Sequence, residues 1–197
     1  PIIFMQCGPV RYRVDARRQA EKRPFDHKVV VRPTNFRLPP YLQSEASYSI
    51  QEVYSLLAQD EERNNLIVQD VVAATRAKRF PVVMTERREH VDVLANLLAP
   101  HIPKIFVMRG GMGKRQRQKL VEQIASVPTD EARVIVATGR YLGEGFDNDE
   151  LDTLFMALPI SWRGTLTQYA GRLHRLNESK KEVIIYDYVD VNVPVLV

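Results

Sequence analysis

Cysteine is all but missing: Cys7 is the only thiol in 197 residues. One thiol cannot build an intramolecular disulfide framework, and its solitude fits a reducing, cytoplasmic setting. No apolar run approaches the ~18 residues that a bilayer-spanning helix needs, so no membrane partner is expected. The opening stretch PIIFMQCGPVRYRV has no charged segment ahead of its apolar residues, which argues against a secretory signal. It starts on Pro1 rather than methionine, which reads as a boundary inside a longer polypeptide. A large excess of one charge is absent too. Lysine and arginine number 28 against 24 acids, a net charge of +4. That balance permits a polyanionic partner without establishing one. There is no internal repeat and no low-complexity tract, and no metal-ligand set is assigned. What remains is 45% hydrophobic and 26% charged, which suits a globular core of one or at most two domains.

Two regions read differently. Residues 1–47 carry short β-like runs, Ile2–Met5 and Val29–Val31, among basic and proline-rich stretches. Arg11, Arg13, Arg17, Arg18, Lys22 and Arg23 outnumber Asp15 and Glu21, while Pro33, Pro39 and Pro40 break any helix there. This part reads as a partly extended connector, or as the end of a preceding domain. Residues 48–197 read as an α/β domain opened by two helices. Ile50, Val53, Tyr54 and Leu57 share one helical face. Asp60, Glu61 and Glu62 mark a second start, because acids favour the positive end of a helix dipole.

Strands and helices then alternate. Phe80–Met84, Ile105–Met108, Val134–Ala137, Thr153–Leu158 and Val183–Tyr188 are apolar runs without polar alternation, as expected of strands buried on both faces of a parallel sheet. Helical spacing returns at Val91–Leu98, at Leu120–Val127 and from about Thr165. The pattern predicts a mostly parallel sheet with helices on both faces. Ligands of such sheets bind beyond the carboxyl ends of the strands, which directs attention to loops 85–89, 109–113, 139–147 and 159–164.

Four segments at those ends carry chemistry. In Gln168-Tyr-Ala-Gly-Arg172-Leu-His-Arg175 the two arginines are three apart, so on a helix they share a face. Forked guanidinium donors suit phosphate oxygens, although two solvated helix arginines would look the same. The segment from Thr138 to Asp147 holds Gly139, Gly143 and Gly145 directly after a buried strand. Thr138 and the Gly139 amide suit a backbone phosphate and Asp147 a sugar hydroxyl; a plain glycine-rich crossover is the alternative. Arg109–Lys119 has five cations and no acid and runs from a strand end into a helix. Its GGMGK string is not a P-loop, because Met108 stands at the first glycine position and Arg115 at the hydroxyl position. A nucleic-acid backbone contact or a solvated basic face remains. Thr85-Glu-Arg-Arg88 supplies one more polar strand end.

The order of these segments resembles the second RecA-like domain of superfamily 2 helicases, especially the DEAD/DEAH branch related to type III restriction enzyme motor subunits. The resemblance covers residues 78–190 and is most specific over VIVATGRYLGEGFDNDELDTLFMALPISWRGTLTQYAGRLHR, which looks like helicase motif V followed by motif VI. It implies a RecA-like fold. It implies that Arg172 and Arg175, with Gln168, complete an ATP site as motif VI. Glu144, Gly145 and Asp147 would face the nucleotide, and Thr85, Arg109, Gly110, Thr138 and Gly139 would face nucleic acid, with DNA the expected polymer. His174 and Trp162 are expected to be structural. No Walker A loop and no D-E-x-[DH] box occurs in the chain. The resemblance places both on a first RecA-like domain of the same polypeptide, which would bind most of the ATP and Mg2+. The chain alone is then expected to be inactive, as one wall of a composite site. The competing readings are a non-enzymatic nucleic-acid-binding module and a transferase-like nucleotide-binding domain.

Overall fold

The computed structural model describes residues 25–43, 49–139, 148–159, 173, 180–193 and 196. Its described strands are β1 (Asp26–Pro33), β2 (Pro81–Thr85), β3 (Lys104–Met108), β4 (Arg133–Thr138), β5 (Thr153–Met156) and β6 (Glu182–Val189). The helices are α1 (Pro40–Gln43), α2 (Ile50–Gln59), α3 (Glu61–Arg76), α4 (Arg88–Leu98) and α5 (Lys114–Ala125). The strands form one sheet in the order β1-β6-β5-β2-β4-β3, and every pairing is parallel.

Alternate residues of the central strands feed opposite faces, as the period of two requires. Val82, Met84, Ile135, Ala137, Leu154 and Met156 join a core with Ile124 of α5 and with Leu173. Val83, Val134, Val136 and Phe155 join a second core with Ile67 and Val71 of α3 and Val91, Leu94 and Leu98 of α4. The sheet is therefore covered by α3 and α4 on one face and by α5 on the other, a RecA-like α/β arrangement.

Local chemistry sets the helix starts. Ser49 caps α2 through a reciprocal box with Glu52. Asp60 ends α2, and its carboxylate accepts from the Arg63 N–H at 2.7 Å to begin α3. Residues 25–43, grouped by sequence with a connector, supply the edge strand β1 and the short helix α1. β1 runs in register with β6, from Asp26 beside Glu182 to Pro33 beside Val189. After β1 the chain folds over the carboxyl ends of β5 and β6. Phe36, Leu38 and Leu42 pack there with Val53 and Leu57 of α2, on Leu158 and Val193. Among the described residues this roof does not extend over the ends of β4 and β3.

A buried ion pair pins the roof. Arg63 and Asp190 meet at 2.9 Å with both side chains fully buried. Arg63 also donates to the Ala157 carbonyl at 2.5 Å, and Thr34 donates to Asp190 at 2.5 Å. One α3 side chain thereby joins the ends of β5, β6 and β1. None of the described helices is long and apolar enough to cross a membrane.

Candidate functional site

Register builds the site. Thr85 of β2 lies beside Thr138 of β4, and Met108 of β3 lies beside Ala137. Arg109 follows Met108, so Thr85, Thr138 and Arg109 form a row across three adjacent strand ends. Candidates from three separate loops are thus brought together at one stretch of the carboxyl edge. Gly139 continues the row from β4 and is buried.

The members differ in what they can offer. Thr85 is 1% exposed and its hydroxyl faces inward. It lies 2.9 Å from His90 Nδ1, and His90 Nε2 lies 2.8 Å from Asn64 Oδ1. An amide oxygen can only accept, so His90 carries its proton on Nε2 and Thr85 donates to Nδ1. Burial pushes His90 down to about 3, and Arg63 and Arg87 push the same way. The ring is therefore a neutral strut between α3 and the β2–α4 turn. The Arg87 N–H donates to the Thr85 hydroxyl at 3.3 Å, which completes that hydroxyl's partners. Thr138 is likewise buried, at 8% exposure.

Arg109 is on the surface. Its Nη1 donates to both carboxylate oxygens of Asp92, one at 2.6 Å, and both side chains are about half exposed. Exposed pairs of this kind contribute roughly 0–1 kcal/mol, so a phosphate can replace Asp92 at little cost. The contrast with Arg63 is sharp, because breaking a fully buried pair costs about 3–5 kcal/mol.

Two further arginines tie the loops together. Arg87 donates through Nη2 to the Gln51 carbonyl and, at 3.2 Å, to the Gln51 side chain, which locks the turn to α2. The Arg88 guanidinium lies against Gly110. A Cβ there would overlap Arg88 Nη2 and sit 3.0 Å from its Cζ and Nε. A side chain at position 110 would displace the end of the exposed Arg88 side chain, so the crossing favours glycine without demanding it. Gly111 follows at φ +96°, a conformation that also favours glycine. Gly113 then caps α5, whose first turn contains no acid. Lys114 and Arg115 are exposed at that helix start, where the dipole is positive. Sequence reasoning missed the Arg88–Gly110 crossing, the His90 strut and the buried Arg63–Asp190 pair. The double glycine after β3 was the one available hint of the first.

Gln168, Arg172, Arg175, Glu144, Gly145 and Asp147 lie outside the described residues, as do Trp162 and His174. Leu173, between the two arginines, is helical and fully buried in the α5-side core. Among the described residues no group of three or more His, Cys, Asp or Glu can hold a metal ion.

The helicase conserved C-terminal domain model matches residues 64–177. The chain belongs to that family. It is 25% identical over 139 residues to transcript termination protein A18 of Fowlpox virus (strain NVSL), covering 70% of this chain and 29% of that protein. It is 29% identical over 126 residues to the A18 protein of Camelpox virus (strain CMS), covering 61% and 24%. The chain thus spans less than a third of the length of these curated relatives. Among solved structures, T4 UvsW matches with TM-score 0.65 at 15% identity, over 85% of this chain and 33% of that one. The E. coli DEAD-box protein SrmB, solved bound to regulator of ribonuclease activity A, matches with TM-score 0.60 at 18% identity, over 88% and 83%. The fold is that of superfamily 2 C-terminal RecA-like domains. Helicase domains of this kind bind nucleic acid, use ATP with Mg2+ and pair with an N-terminal RecA-like domain.

Proposed function

We propose that this chain is the C-terminal motor domain of an ATP-dependent superfamily 2 DNA helicase or translocase, of the branch related to type III restriction motor subunits. The carrying observation is the row of Thr85, Thr138 and Arg109 at adjacent carboxyl strand ends, inside a segment matched by the helicase family model. In this reading Arg109, the Gly110 backbone and the Gly139 amide hold backbone phosphates. Thr85 and Thr138 set the height of the loops from below. Backbone contacts of this sort carry little sequence preference and weaken steeply with salt.

The arginine-finger assignment rests on the Gln168–Arg175 pattern, which falls inside the segment matched by the helicase family model. In this reading Arg172 and Arg175 meet a nucleotide held by an N-terminal RecA-like domain, with Gln168, Glu144, Gly145 and Asp147 around it. Their role is to stabilise charge on the transferred phosphoryl group, an effect worth on the order of 10³-fold or more in other phosphoryl-transfer enzymes. Closure of the two domains on nucleotide would bring the arginines in, and the gripped strand would move with the domain.

The test uses the longer polypeptide that includes the first motor domain. Arg172→Ala and Arg175→Ala should each lower nucleic-acid-stimulated ATPase by at least about a thousandfold while DNA affinity stays level. Arg109→Ala should weaken single-stranded DNA binding and reduce its salt slope by about one unit. Undiminished ATPase in both finger variants would refute the motor reading in favour of a plain nucleic-acid-binding module.

A further inference from the structure

The outer edge of β3 carries a groove that shares only Arg109 and Gly110 with the proposed phosphate contact. β3 is the last strand of the sheet and pairs only with β4 among the described residues. In a parallel pair, alternate residues turn both N–H and C=O outward, and no other described strand takes up those groups on this edge. Beside it lies a cleft of about 540 Å3 lined by Val107, Arg109–Met112, Gln116, Lys119, Leu120 and Gln123. Val107, Met112 and Leu120 are half-buried and form its apolar floor, while Gln116, Lys119 and Gln123 of α5 are exposed along one wall. The glycine loop and the α5 N-terminus close one end. Among the described residues the charged members of its lining are Arg109, which Asp92 pairs from outside the cleft, and Lys119.

We propose that this groove docks an extended, acidic peptide segment of a partner protein, which adds a strand to β3 and lies along α5. Three candidates compete for the edge, and its chemistry separates them. A second copy of the chain would set Arg109 and Lys119 against their own equivalents, which like-charge repulsion opposes. A nucleic-acid strand carries no amide ladder to satisfy β3, and among the described residues no aromatic ring lines the cleft for bases to stack on. An extended peptide supplies backbone groups to the edge, alternate apolar side chains to the floor and alternate acids to Lys119 and Arg109. Five residues of β3 span roughly 16 Å, enough for a strand of similar length. Arg109 and Gly110 border both this groove and the proposed phosphate contact, so an occupied groove hinders nucleic-acid binding. The inference does not depend on the motor reading, because peptide docking needs neither nucleotide nor nucleic acid.

The test is fluorescence anisotropy with the whole chain and a labelled octapeptide of alternating Asp and Val. Controls are the Lys–Val octapeptide, an Asp–Val peptide N-methylated at alternate backbone nitrogens, and a labelled dodecathymidylate. The acidic peptide should bind more tightly than the basic one. N-methylation should weaken it by about tenfold or more, because a methylated nitrogen cannot join a ladder. Lys119→Glu, an exposed change on α5, should weaken the acidic peptide comparably and strengthen the basic one. Equal binding of the two peptides overturns the proposal, as does full retention after N-methylation. Lys119→Glu weakening dodecathymidylate while sparing the peptide overturns it too, and assigns the cleft to nucleic acid.

Discussion

His90 makes the stability of this domain depend on acid in a calculable way. Its ring is buried between Thr85 and Asn64, and burial holds it down to about 3 from an ordinary 6.5. Between those values the unfolded chain binds a proton that the folded chain refuses. Stability from this site is therefore complete above pH 6.5 and is lost progressively as pH falls towards 3. At pH 5 the loss from this one group is about 2 kcal/mol, from the difference in proton binding of the two states. His90→Gln removes the titration while leaving an amide to donate to Asn64. At pH 8 the substitution should cost roughly 1–3 kcal/mol, because the buried Thr85 hydroxyl loses its acceptor. Urea unfolding followed by far-UV circular dichroism at pH 8, 6.5 and 5 measures both effects. The parent should lose about 2 kcal/mol more than His90→Gln between pH 8 and pH 5. Parallel losses in the two proteins would show that the ring is not buried neutral, and the strut would have to be abandoned.

Two other outcomes follow from single contacts. Gly110→Ala pushes aside only the far end of the exposed Arg88 side chain, so thermal melts should register a cost below about 1 kcal/mol, which adding Arg88→Ala removes. Asp190→Asn keeps the shape of the side chain but strips the charge from Arg63, and equilibrium unfolding should register a cost of about 3–5 kcal/mol, whereas Asp92→Ala at the exposed Arg109 pair should cost less than about 1 kcal/mol.

The central sheet was legible because its strands are buried on both faces and therefore read as unbroken apolar runs. Pro81–Thr85 and Arg133–Thr138 are buried throughout, and their boundaries fall within a residue or so of the apolar runs. β1 was harder. It is an edge strand whose Val29 and Val31 are 64% and 60% exposed, so its sequence mixes charge with valine and resembles a linker. The row of strand ends was legible as a set of loops, since every parallel strand delivers its carboxyl end to the same edge. Which side chains face outward was not. Thr85 looks like a ligand contact in sequence, but its hydroxyl is taken by a histidine five residues on. Arg109 looks like a bare cation, yet Asp92 sits against it from another helix. Such pairings depend on how elements meet, which no local pattern encodes.

The roof of α1 and α2 makes the domain's working rim lopsided. One half is fastened by apolar packing and by the internal Arg63–Asp190 bond, and changes there endanger folding. The other half carries surface side chains, Arg88 and Arg109, that no core cluster includes. Variation in what the domain grips can accumulate on that second half alone, leaving the architecture untouched. An engineer wishing to retune affinity or polymer choice should begin at those two positions.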